Sequence, residues 1–412
     1  MTRVLAYTTP ARGHLYPIVP TLLELQRRGH PVAVRTLASQ VDRMKDLGFD
    51  AAPIDAQLEA LPHDDFKGRN PLDKVRRALE VFMARAPIDA ADLSRAIEEE
   101  APDALLVDAN AWGGAVTAEA SGLPWAQWIP YLLPVPSRDA PPWGPGFKPR
   151  SGPLGAARDR IVGRLIEGRM NSVVLEPVNS ARAAAGLEPL ASAAESLTRT
   201  PLMLYMTAEP MEYPRSDWPA SIRMVGPCGW EPEAAEAPAW LSEDDRPLVL
   251  VTLSSEFQDD SDLVSTALEA LRDEPVRVVA TTLDTDPSSF DAPPNARIER
   301  FVPHGPLLDR AACVVCHGGM GITQKALAHG VPVCVVPFGR DQLETARHVE
   351  VAGAGTRLPA QRLNAERLRK AVRTATSRRA GAQRMAEAFA RAGGGPAAAD
   401  AFEGLLREPA AA

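Results

Sequence analysis

The chain has 412 residues, of which 45% are hydrophobic and 24% charged, as is ordinary for a globular protein. Single hydrophobic cores stop growing at about 250–300 residues, so this length predicts two domains. The formal net charge of −8 disfavours nucleic acid and anionic membrane surfaces as partners, because both attract basic proteins. A local basic pocket for a phosphate remains compatible with that charge.

Neither a secretion signal nor a membrane span is predicted. The N-terminal residues, MTRVLAYTTPARGH, contain no long apolar run, and no stretch of about 18 apolar residues occurs in the chain. The four cysteines are too few for a disulfide framework. We therefore expect a reduced, cytoplasmic protein without stable membrane insertion.

Short apolar runs alternate with helical patterns along the chain. In the first half, the predicted strands cover residues 3–7, 31–38, 104–110 and 124–130, and the predicted helices cover 18–29 and 93–100. In the second half, strands are predicted at 247–255, 276–282, 297–302, 312–317 and 331–337, with helices near 263–272 and from about 363. This alternation predicts an α/β fold of two Rossmann-like, doubly wound lobes facing across a cleft.

Six prolines between residues 208 and 240 interrupt periodic structure and predict a linker between the halves. We expect an N-terminal lobe at 1–215, the linker at 216–245, a C-terminal lobe at 246–385 and a closing helix at 386–412. In doubly wound sheets, ligands bind beyond the carboxyl ends of the strands, so the cleft is the expected site.

A glycine-rich turn follows the strand predicted at 312–317. It contains, in order, His317, Gly318, Gly319, Gly321 and, in the first turn of the next helix, Thr323. Glycines let the backbone approach a phosphate closely, and a helix N-terminus offers free N–H groups and a positive dipole end. The turn therefore predicts a diphosphate site with His317 as a further donor, and a plain tight turn is the alternative.

A carboxylate and an amide, Asp341 and Gln342, stand where another helix is predicted to begin. Side by side, these groups are suited to binding the vicinal hydroxyls of a sugar. A simple helix N-cap is the alternative for Asp341.

His14 follows the first predicted strand, where it would face the cleft. A histidine can accept a proton near neutral pH, and a neutral alcohol is a poor nucleophile until it loses its proton. Asp108 ends the buried strand ALLVDAN and could hydrogen-bond the far ring nitrogen of His14, as in a serine-hydrolase triad. Structural roles for both residues are the alternative.

Taken together, several motifs resemble those of the inverting GT-B glycosyltransferases of bacterial natural-product pathways, relatives of the plant and animal small-molecule glycosyltransferases. The motifs run along nearly the whole chain in the family's order: GHLYP (13–17), VGP (225–227), PLVLVTLSS (247–255), ERFVPHGPLL (299–308), HGGMG (317–321), GVP (330–332) and GRDQ (339–342).

The resemblance implies a function. His14 would be the general base with Asp108 as its partner, and Asp341 and Gln342 would meet the donor sugar. Val302 would lie beside the nucleobase. The diphosphate would be held by His317, Gly318, Gly319, Gly321 and Thr323. The reaction would invert configuration by direct displacement, and the C-terminal helix would cross back to the first lobe.

The chain departs from the family pattern at two places. Where the family usually has S-x-G-T, this chain loses the glycine but keeps the hydroxyls of Ser254 and Ser255, which we assign to the donor site. Lys325 stands where the family commonly has a glutamate that binds the ribose, and a lysine cannot accept hydrogen bonds from ribose hydroxyls. A thymidine diphosphate (dTDP) sugar, with one fewer ribose hydroxyl, is therefore favoured over a uridine diphosphate (UDP) sugar.

The acceptor is expected in the first lobe, beside Trp112, Trp128 and Trp143, because aromatic walls suit an apolar molecule. Ordinary core packing is the alternative for each tryptophan. The resemblance suggests a polyketide acceptor, such as a macrolide, an aromatic or an enediyne, and a deoxysugar. A proline-rich stretch, 130–150, is either a wall for this ligand or a surface loop.

Two patterns could bind a metal. Cys313 and Cys316 have C-x-x-C spacing, but no second pair follows at zinc-ribbon distance, which favours two buried strand residues. Asp284 and Asp286 could supply oxygen ligands, but a polar loop is the favoured interpretation. We expect neither a metal nor another cofactor, the nucleotide sugar being a co-substrate.

Three other functions remain as alternatives. A sugar-nucleotide epimerase on the same fold would need no apolar acceptor. A non-catalytic nucleotide-binding partner protein is disfavoured by His14 and Asp108. A nicotinamide oxidoreductase is disfavoured because the glycines do not follow G-x-G-x-x-G spacing. The sequence leaves open whether the protein is a monomer or a homodimer.

Overall fold

The fold is taken from a computed structural model, which describes residues 1–231, 237–254, 260–283 and 285–407. The first lobe is built on a parallel sheet of seven strands: β1 (Val4–Tyr7), β2 (Val32–Thr36), β3 (Asp50–Pro53), β4 (Ala104–Asp108), β5 (Trp125–Ile129), β6 (Met203–Tyr205) and β7 (Ile222–Met224). Their order across the sheet is β3-β2-β1-β4-β5-β6-β7. The helices of this lobe are α1 (Arg12–Arg27), α2 (Val41–Asp46), α3 (Ala56–Ala60), α4 (Pro71–Glu100), α5 (Trp112–Ala120), α6 (Pro153–Ala184) and α7 (Glu195–Thr198).

The second lobe has a parallel sheet of six strands: β8 (Leu248–Thr252), β9 (Arg277–Thr281), β10 (Ala296–Glu299), β11 (Ala311–Cys316), β12 (Val333–Val335) and β13 (Gly355–Arg357). Their order is β10-β9-β8-β11-β12-β13. The remaining helices are α8 (Asp262–Leu271), α9 (His304–Leu308), α10 (Met320–Ala328), α11 (Gln342–Val351), α12 (Ala365–Thr376), α13 (Arg379–Ala392) and α14 (Gly394–Arg407). The two sheets confirm the predicted α/β class with two doubly wound lobes.

In each sheet all strands are parallel, and the order in which the chain adds them reverses at one point. This point lies between β1 and β4 in the first lobe and between β8 and β11 in the second. Loops leaving neighbouring strands diverge there and open a crevice beyond the carboxyl ends. The central strands are apolar runs buried on both faces, as parallel strands covered by helices on each side must be. The sequence thus places both crevices where polar loop residues follow buried strands.

The helix α14 returns from the second lobe and packs on α1 of the first. Phe402 is fully buried in the first-lobe core, beside side chains of β1 and α1. At the helix surface, Arg28 donates to Asp400 at 2.6 Å and to Glu403 at 3.1 Å. A Cβ on Gly395 would lie 2.9 Å from the carbonyl oxygen of Pro20, so the two backbones approach more closely than a side chain allows.

Several elements differ from the sequence-based expectation. The helix predicted at 18–29 begins at Arg12, so His14 lies in its first turn, and the helix contains Pro17 and Pro20. The strand β7 lies inside the segment assigned to the linker and pairs with β6. Of α4 only residues 93–100 were predicted as a helix, and no helix was predicted over α6. Both contain an internal proline, Pro87 and Pro177, which by local pattern argues against a helix.

Candidate active site

A cavity of about 550 Å³ lies between the lobes and is lined by both. The two crevices open into it, so residues following β1 face residues following β8 and β11. Of the site residues predicted from the sequence, nine line it: His14, Trp112, Trp143, Ser254, His317, Gly319, Gly321, Asp341 and Gln342. Ser255 lies outside the described residues.

His14 and Asp108 form a hydrogen-bonded pair at the first-lobe crevice. The His14 Nδ1 atom lies 2.9 Å from one carboxylate oxygen of Asp108 and 3.0 Å from the other. The pair exists because β1 and β4 are adjacent in the sheet, which brings the start of α1 beside the end of β4. Since Nδ1 donates to the carboxylate, the neutral ring presents Nε2 as a proton acceptor.

The carboxylate of Asp108 is completely buried and fully coordinated. It accepts hydrogen bonds from the Thr9 N–H at 3.2 Å, from the Thr9 hydroxyl at 2.7 Å and from the Asn110 N–H at 2.9 Å. Burial by itself raises the pKa of Asp108, but the charge of His14 and these hydrogen bonds outweigh it and lower the pKa below its ordinary value. Asp108 therefore remains an anion that can stabilise an imidazolium.

Asn110 and Tyr131 extend this pair toward the cavity. The Asn110 amide nitrogen lies 3.3 Å from Nε2 of His14, and the Tyr131 hydroxyl donates to the Asn110 amide oxygen at 2.7 Å. Both residues line the cavity. Asn110 was not assigned to the site from sequence, although its position two residues beyond Asp108 at the end of β4 could have revealed it. Tyr131 belongs to the stretch 130–150, for which a ligand wall was one of the two expectations.

The glycine-rich turn joins β11 to α10 on the opposite wall of the cavity. Gly318 has φ of +99°, and a Cβ there would lie 2.6 Å from a methyl group of Val335. Gly319 is the N-cap of α10, and a Cβ on it would lie 2.4 Å from Nε2 of His317. Larger residues at these two positions would displace the turn. At Gly321 no atom would meet a Cβ within 4 Å, so this position is open.

His317 is buried beside this turn as a neutral side chain. Burial lowers its pKa to about 4, opposed by the negative charge of Asp260 and assisted by the positive charge of Arg340. Within the described ranges, which omit 255–259, the His317 Nδ1 atom has no hydrogen-bond partner. A buried polar atom without a partner is costly, so a ligand that supplied one would be stabilised here.

Thr323 and Val302 are not at the cavity. The Thr323 hydroxyl lies 3.8 Å from the sulfur of Cys316 and its N–H donates to the carbonyl of Gly319, so both groups serve the fold. The Val302 side chain is buried in the core of the second lobe. The structure therefore does not support a phosphate contact from Thr323 or a side-chain contact from Val302 to the nucleobase.

Asp341 and Gln342 have different contacts at the loop that joins β12 to α11. Gln342 accepts hydrogen bonds from the N–H groups of Phe338 and Gly339 at 2.8 and 3.1 Å, so its amide oxygen holds the loop. The Asp341 side chain does not cap α11 and faces the cavity instead. Burial raises the pKa of Asp341 to about 6, although its own backbone N–H, Arg340 and His14 act in the opposite direction.

Two of the three predicted acceptor tryptophans line the cavity. Trp112 and Trp143 each have an indole nitrogen that is buried and has no hydrogen-bond partner among the described residues. Trp128 is instead completely buried in the first-lobe core, and its indole N–H donates to the carbonyl of His14 at 3.1 Å. The assignment of Trp128 to the acceptor site is corrected, because its ring supports the His14 turn from below.

A smaller cavity of about 310 Å³ adjoins the first, with Gly321 lining both. Lys325 lines it and donates to Glu231 of the linker at 2.7 Å. Glu231 also accepts hydrogen bonds from the N–H groups of His304 and Gly305, at the start of α9. A carboxylate thus reaches this region from the linker and not from α10, a contact that sequence spacing could not reveal.

The metal candidates can be placed only in part. Asp284 lies outside the described residues, and Asp286 accepts a hydrogen bond from the Ser288 N–H at 3.0 Å. Among the described residues, no group of three or more His, Cys, Asp or Glu side chains is placed to hold a metal ion. Cys313 and Cys316 lie on the buried strand β11 as free thiols.

Among the residues that the structure describes, no helix is long and apolar enough to cross a membrane.

Two doubly wound lobes whose crevices face one another form the GT-B fold, and solved structures with that fold superimpose on nearly the whole chain. The calicheamicin glycosyltransferase CalG4 matches with a TM-score of 0.76 over 98% of both chains, at 21% identity. The glycosyltransferase VinC, solved in complex with dTDP, matches with a TM-score of 0.68 over 98% of both chains, at 23% identity.

Sequence comparison is more specific. Residues 264–398 match the family model of the erythromycin biosynthesis protein CIII-like C-terminal domain. The chain is 34% identical to 4'-demethylrebeccamycin synthase of Lentzea aerocolonigenes, over 98% of this chain and 99% of that protein. The chain belongs to the glycosyltransferases of natural-product biosynthesis, enzymes that act on sugar donors. This confirms the family and the enzyme class indicated by the motifs.

Proposed function

We propose that the chain transfers a deoxysugar from a dTDP-sugar to a hydroxyl of an apolar natural product, with inversion and with His14 as the general base. The observation that carries the proposal is the facing arrangement across one cavity. Nε2 of His14 stands on one wall, and the glycine-rich start of α10 stands on the other.

The proton would move from the acceptor hydroxyl to Nε2 of His14 as the acceptor oxygen attacks the anomeric carbon. The bond from that carbon to the diphosphate oxygen would break on the opposite side, which inverts the configuration. Asp108 would stabilise the imidazolium formed, as the aspartate does in a serine-hydrolase triad. Charge developing on the leaving diphosphate would be stabilised by the N–H groups and dipole at the start of α10.

The preference for a thymidine nucleotide is supported by Lys325. Its ammonium group offers no acceptor to a ribose hydroxyl, and the adjacent carboxylate of Glu231 already accepts from Lys325 and from the N–H groups of His304 and Gly305. VinC, which has this fold, was solved with dTDP bound. A 2′-deoxyribose has one hydroxyl fewer that needs a hydrogen-bond partner, so a thymidine nucleotide loses less binding free energy at this position.

An apolar acceptor with polar substituents is supported by Trp112 and Trp143. Their rings supply apolar walls, and their indole N–H groups, which have no partner among the residues that the structure describes, could each donate to a carbonyl or ether oxygen of the acceptor. A polyketide core carries such groups. The proposed acceptor class is therefore a polyketide or a similar aromatic molecule.

The donor site can be tested by calorimetric titration of the purified protein with dTDP, UDP and NAD in the presence of EDTA. We expect dTDP to bind, UDP to bind more weakly and NAD not to bind. A variant with Gly319→Val should lose dTDP binding, because the new side chain would collide with His317. Binding of NAD alone, or tighter binding of UDP than of dTDP, would contradict the proposed donor.

A further inference from the structure

The N-terminal half of α6 carries a row of exposed aliphatic side chains. Leu154 is 87% exposed, Ile161 62% and Leu165 69%. At 100° per residue, positions separated by seven and eleven lie on one face of a helix, so the three side chains form a single stripe. They are half of the six large apolar residues that are exposed in the described part of the chain.

Arginines lie on both sides of this stripe, at different distances from it. At 100° per residue, Arg158 and Arg169 lie within about 40° of Leu165, along one edge, whereas on the other side Arg164 lies about 60° and Arg160 about 100° from Ile161. Residues 148–169 contain six Lys or Arg and only two Asp or Glu, whereas the whole chain has a net charge of −8. Positive charge is therefore concentrated in this segment, although the chain as a whole is negatively charged.

The basic side chains on this face are accessible. Arg160, Arg164 and Arg169 are exposed, and none of them makes an ion pair with any residue that the structure describes. Arg169 also lines a surface depression with Arg69, which precedes α4, and with Arg76 and Arg77 of α4, together with Asp73 and Asn70. Asp73 pairs with both Arg76 and Arg77, so the lining has four arginines and one carboxylate. The positive patch thus extends beyond the helix itself.

The stripe projects outward beside the acceptor side of the cleft. Arg158 lies over the ring of Phe147 at 4.7 Å and donates to the carbonyl of Lys148, which fastens α6 to the proline-rich loop. Met170, one turn beyond Leu165, lines the cleft cavity. The C-terminal half of α6 is anchored by Val174 and Val178, which are buried.

We propose that residues 153–169 of α6 form a docking surface for an anionic lipid bilayer, on which the helix lies in the interfacial plane. An apolar stripe flanked by arginines places aliphatic side chains at the acyl boundary and guanidinium groups among phosphates. A second copy of this chain fits less well, because a two-fold contact would bring two basic faces together. If the proposed acceptor class is correct, docking holds the acceptor side of the cleft near the phase in which apolar molecules concentrate.

The full-length protein can be sedimented with vesicles of phosphatidylcholine alone or of phosphatidylcholine and phosphatidylglycerol in equal parts. We expect binding to the anionic vesicles only, weakened at high salt because surface charges are screened. Leu165→Glu and the double variant Arg160→Glu/Arg164→Glu should each reduce vesicle binding about tenfold or more. This measurement needs no transferase activity, so it can succeed or fail independently of the proposed function.

Val351→Glu provides a matched control, since Val351 is also exposed and aliphatic but lies at the end of α11 in the second lobe. It should bind vesicles as the parent protein does, and thermal unfolding should show all variants folded. Absence of binding to anionic vesicles would overturn the proposal. Equal losses of vesicle binding in Leu165→Glu and Val351→Glu would also overturn it. A protein that is a dimer in solution and that Leu165→Glu converts to a monomer would show that a second copy covers the stripe, and this too would overturn the proposal.

Discussion

At the scale of single residues, the site depends on which ring nitrogen of His14 is held by a strong hydrogen bond. Nδ1 is bound by a carboxylate that three other donors fix in place, whereas Nε2 has a weaker 3.3 Å contact from Asn110. An acceptor hydroxyl can compete with an amide for that nitrogen, but not with Asp108 for the other. The local hydrogen bonds thus direct the basic lone pair into the cavity.

His14→Ala is expected to abolish transfer while dTDP binds with nearly unchanged affinity, because the donor site lies on the other lobe. Asp108→Asn should lower kcat by about 10⁴-fold, since an amide favours the wrong tautomer of the ring and cannot stabilise its charge. Steady-state kinetics and calorimetry of both variants check this. Normal turnover by His14→Ala would remove the general base from the mechanism.

Asp341 is expected to make donor binding depend on pH. Burial raises its pKa to about 6, so the carboxyl is neutral below that pH and an anion above it. Since an anion accepts hydrogen bonds from sugar hydroxyls better, the donor KM should rise as the pH falls through 6. In Asp341→Asn the KM should be high and should lose this step, and a step retained in the variant would assign it to another group.

At the scale of elements, the lobes are joined by contacts between loops far apart in sequence. Arg340 makes two hydrogen bonds of 2.9 Å to Asp65, across 275 residues, and Asp65 also accepts from His63 at 2.9 Å. Nearby, Glu344 accepts from the N–H groups of Gly144 and Gly146 at 2.7 and 2.6 Å. These contacts hold the loop that carries Asp341 against the first lobe, with the cavity closed between them.

Removing one partner of the Arg340–Asp65 pair is expected to destabilise the folded protein, because the Asp65 carboxylate is buried. Asp65→Ala and Arg340→Ala should each lower the free energy of unfolding by about 3 kcal/mol, and the double variant should be little worse than either. Thermal and denaturant unfolding of the four proteins measure the coupling. Additive losses would show that the two side chains act independently.

Comparison of individual elements shows which site residues could be predicted from the sequence and which could not. His14, Asp108 and His317 follow buried strands, and local pattern is enough to place such residues at carboxyl ends. Asp65 begins a single 3-10 turn and Glu231 lies in the linker, and only the packing of one lobe on the other brings them to Arg340 and Lys325. Most of α4 and the whole of α6 were missed from the sequence, and in both helices tertiary packing overrides the local cost of an internal proline.

At the scale of the whole molecule, the chain crosses between the lobes twice, once at the linker and once before α14. Phe402 on α14 is completely buried in the first-lobe core, whereas Phe301 in the second lobe is 49% exposed. The first lobe is therefore completed by sequence from both ends of the chain. The linker is not the sole covalent path that limits how far the lobes separate.

Phe402→Ala is expected to lower the free energy of unfolding by about 3–5 kcal/mol, because it leaves a cavity in the first-lobe core. Phe301→Ala, the control, should change it by no more than about 0.5 kcal/mol, since an exposed ring has little packing to lose. Denaturant titration followed by tryptophan fluorescence compares them. Equal effects would show that α14 does not complete the first lobe.

The return of α14 also sets an order of events during synthesis. Residues 1–231 leave the ribosome first, yet their hydrophobic core lacks Phe402 until the whole second lobe has been translated. The first lobe therefore cannot reach its final packing while translation of the second is under way. Folding of the acceptor side is thereby coupled to completion of the donor side, and a message cut short before α14 yields a first lobe with an open core and no finished cleft.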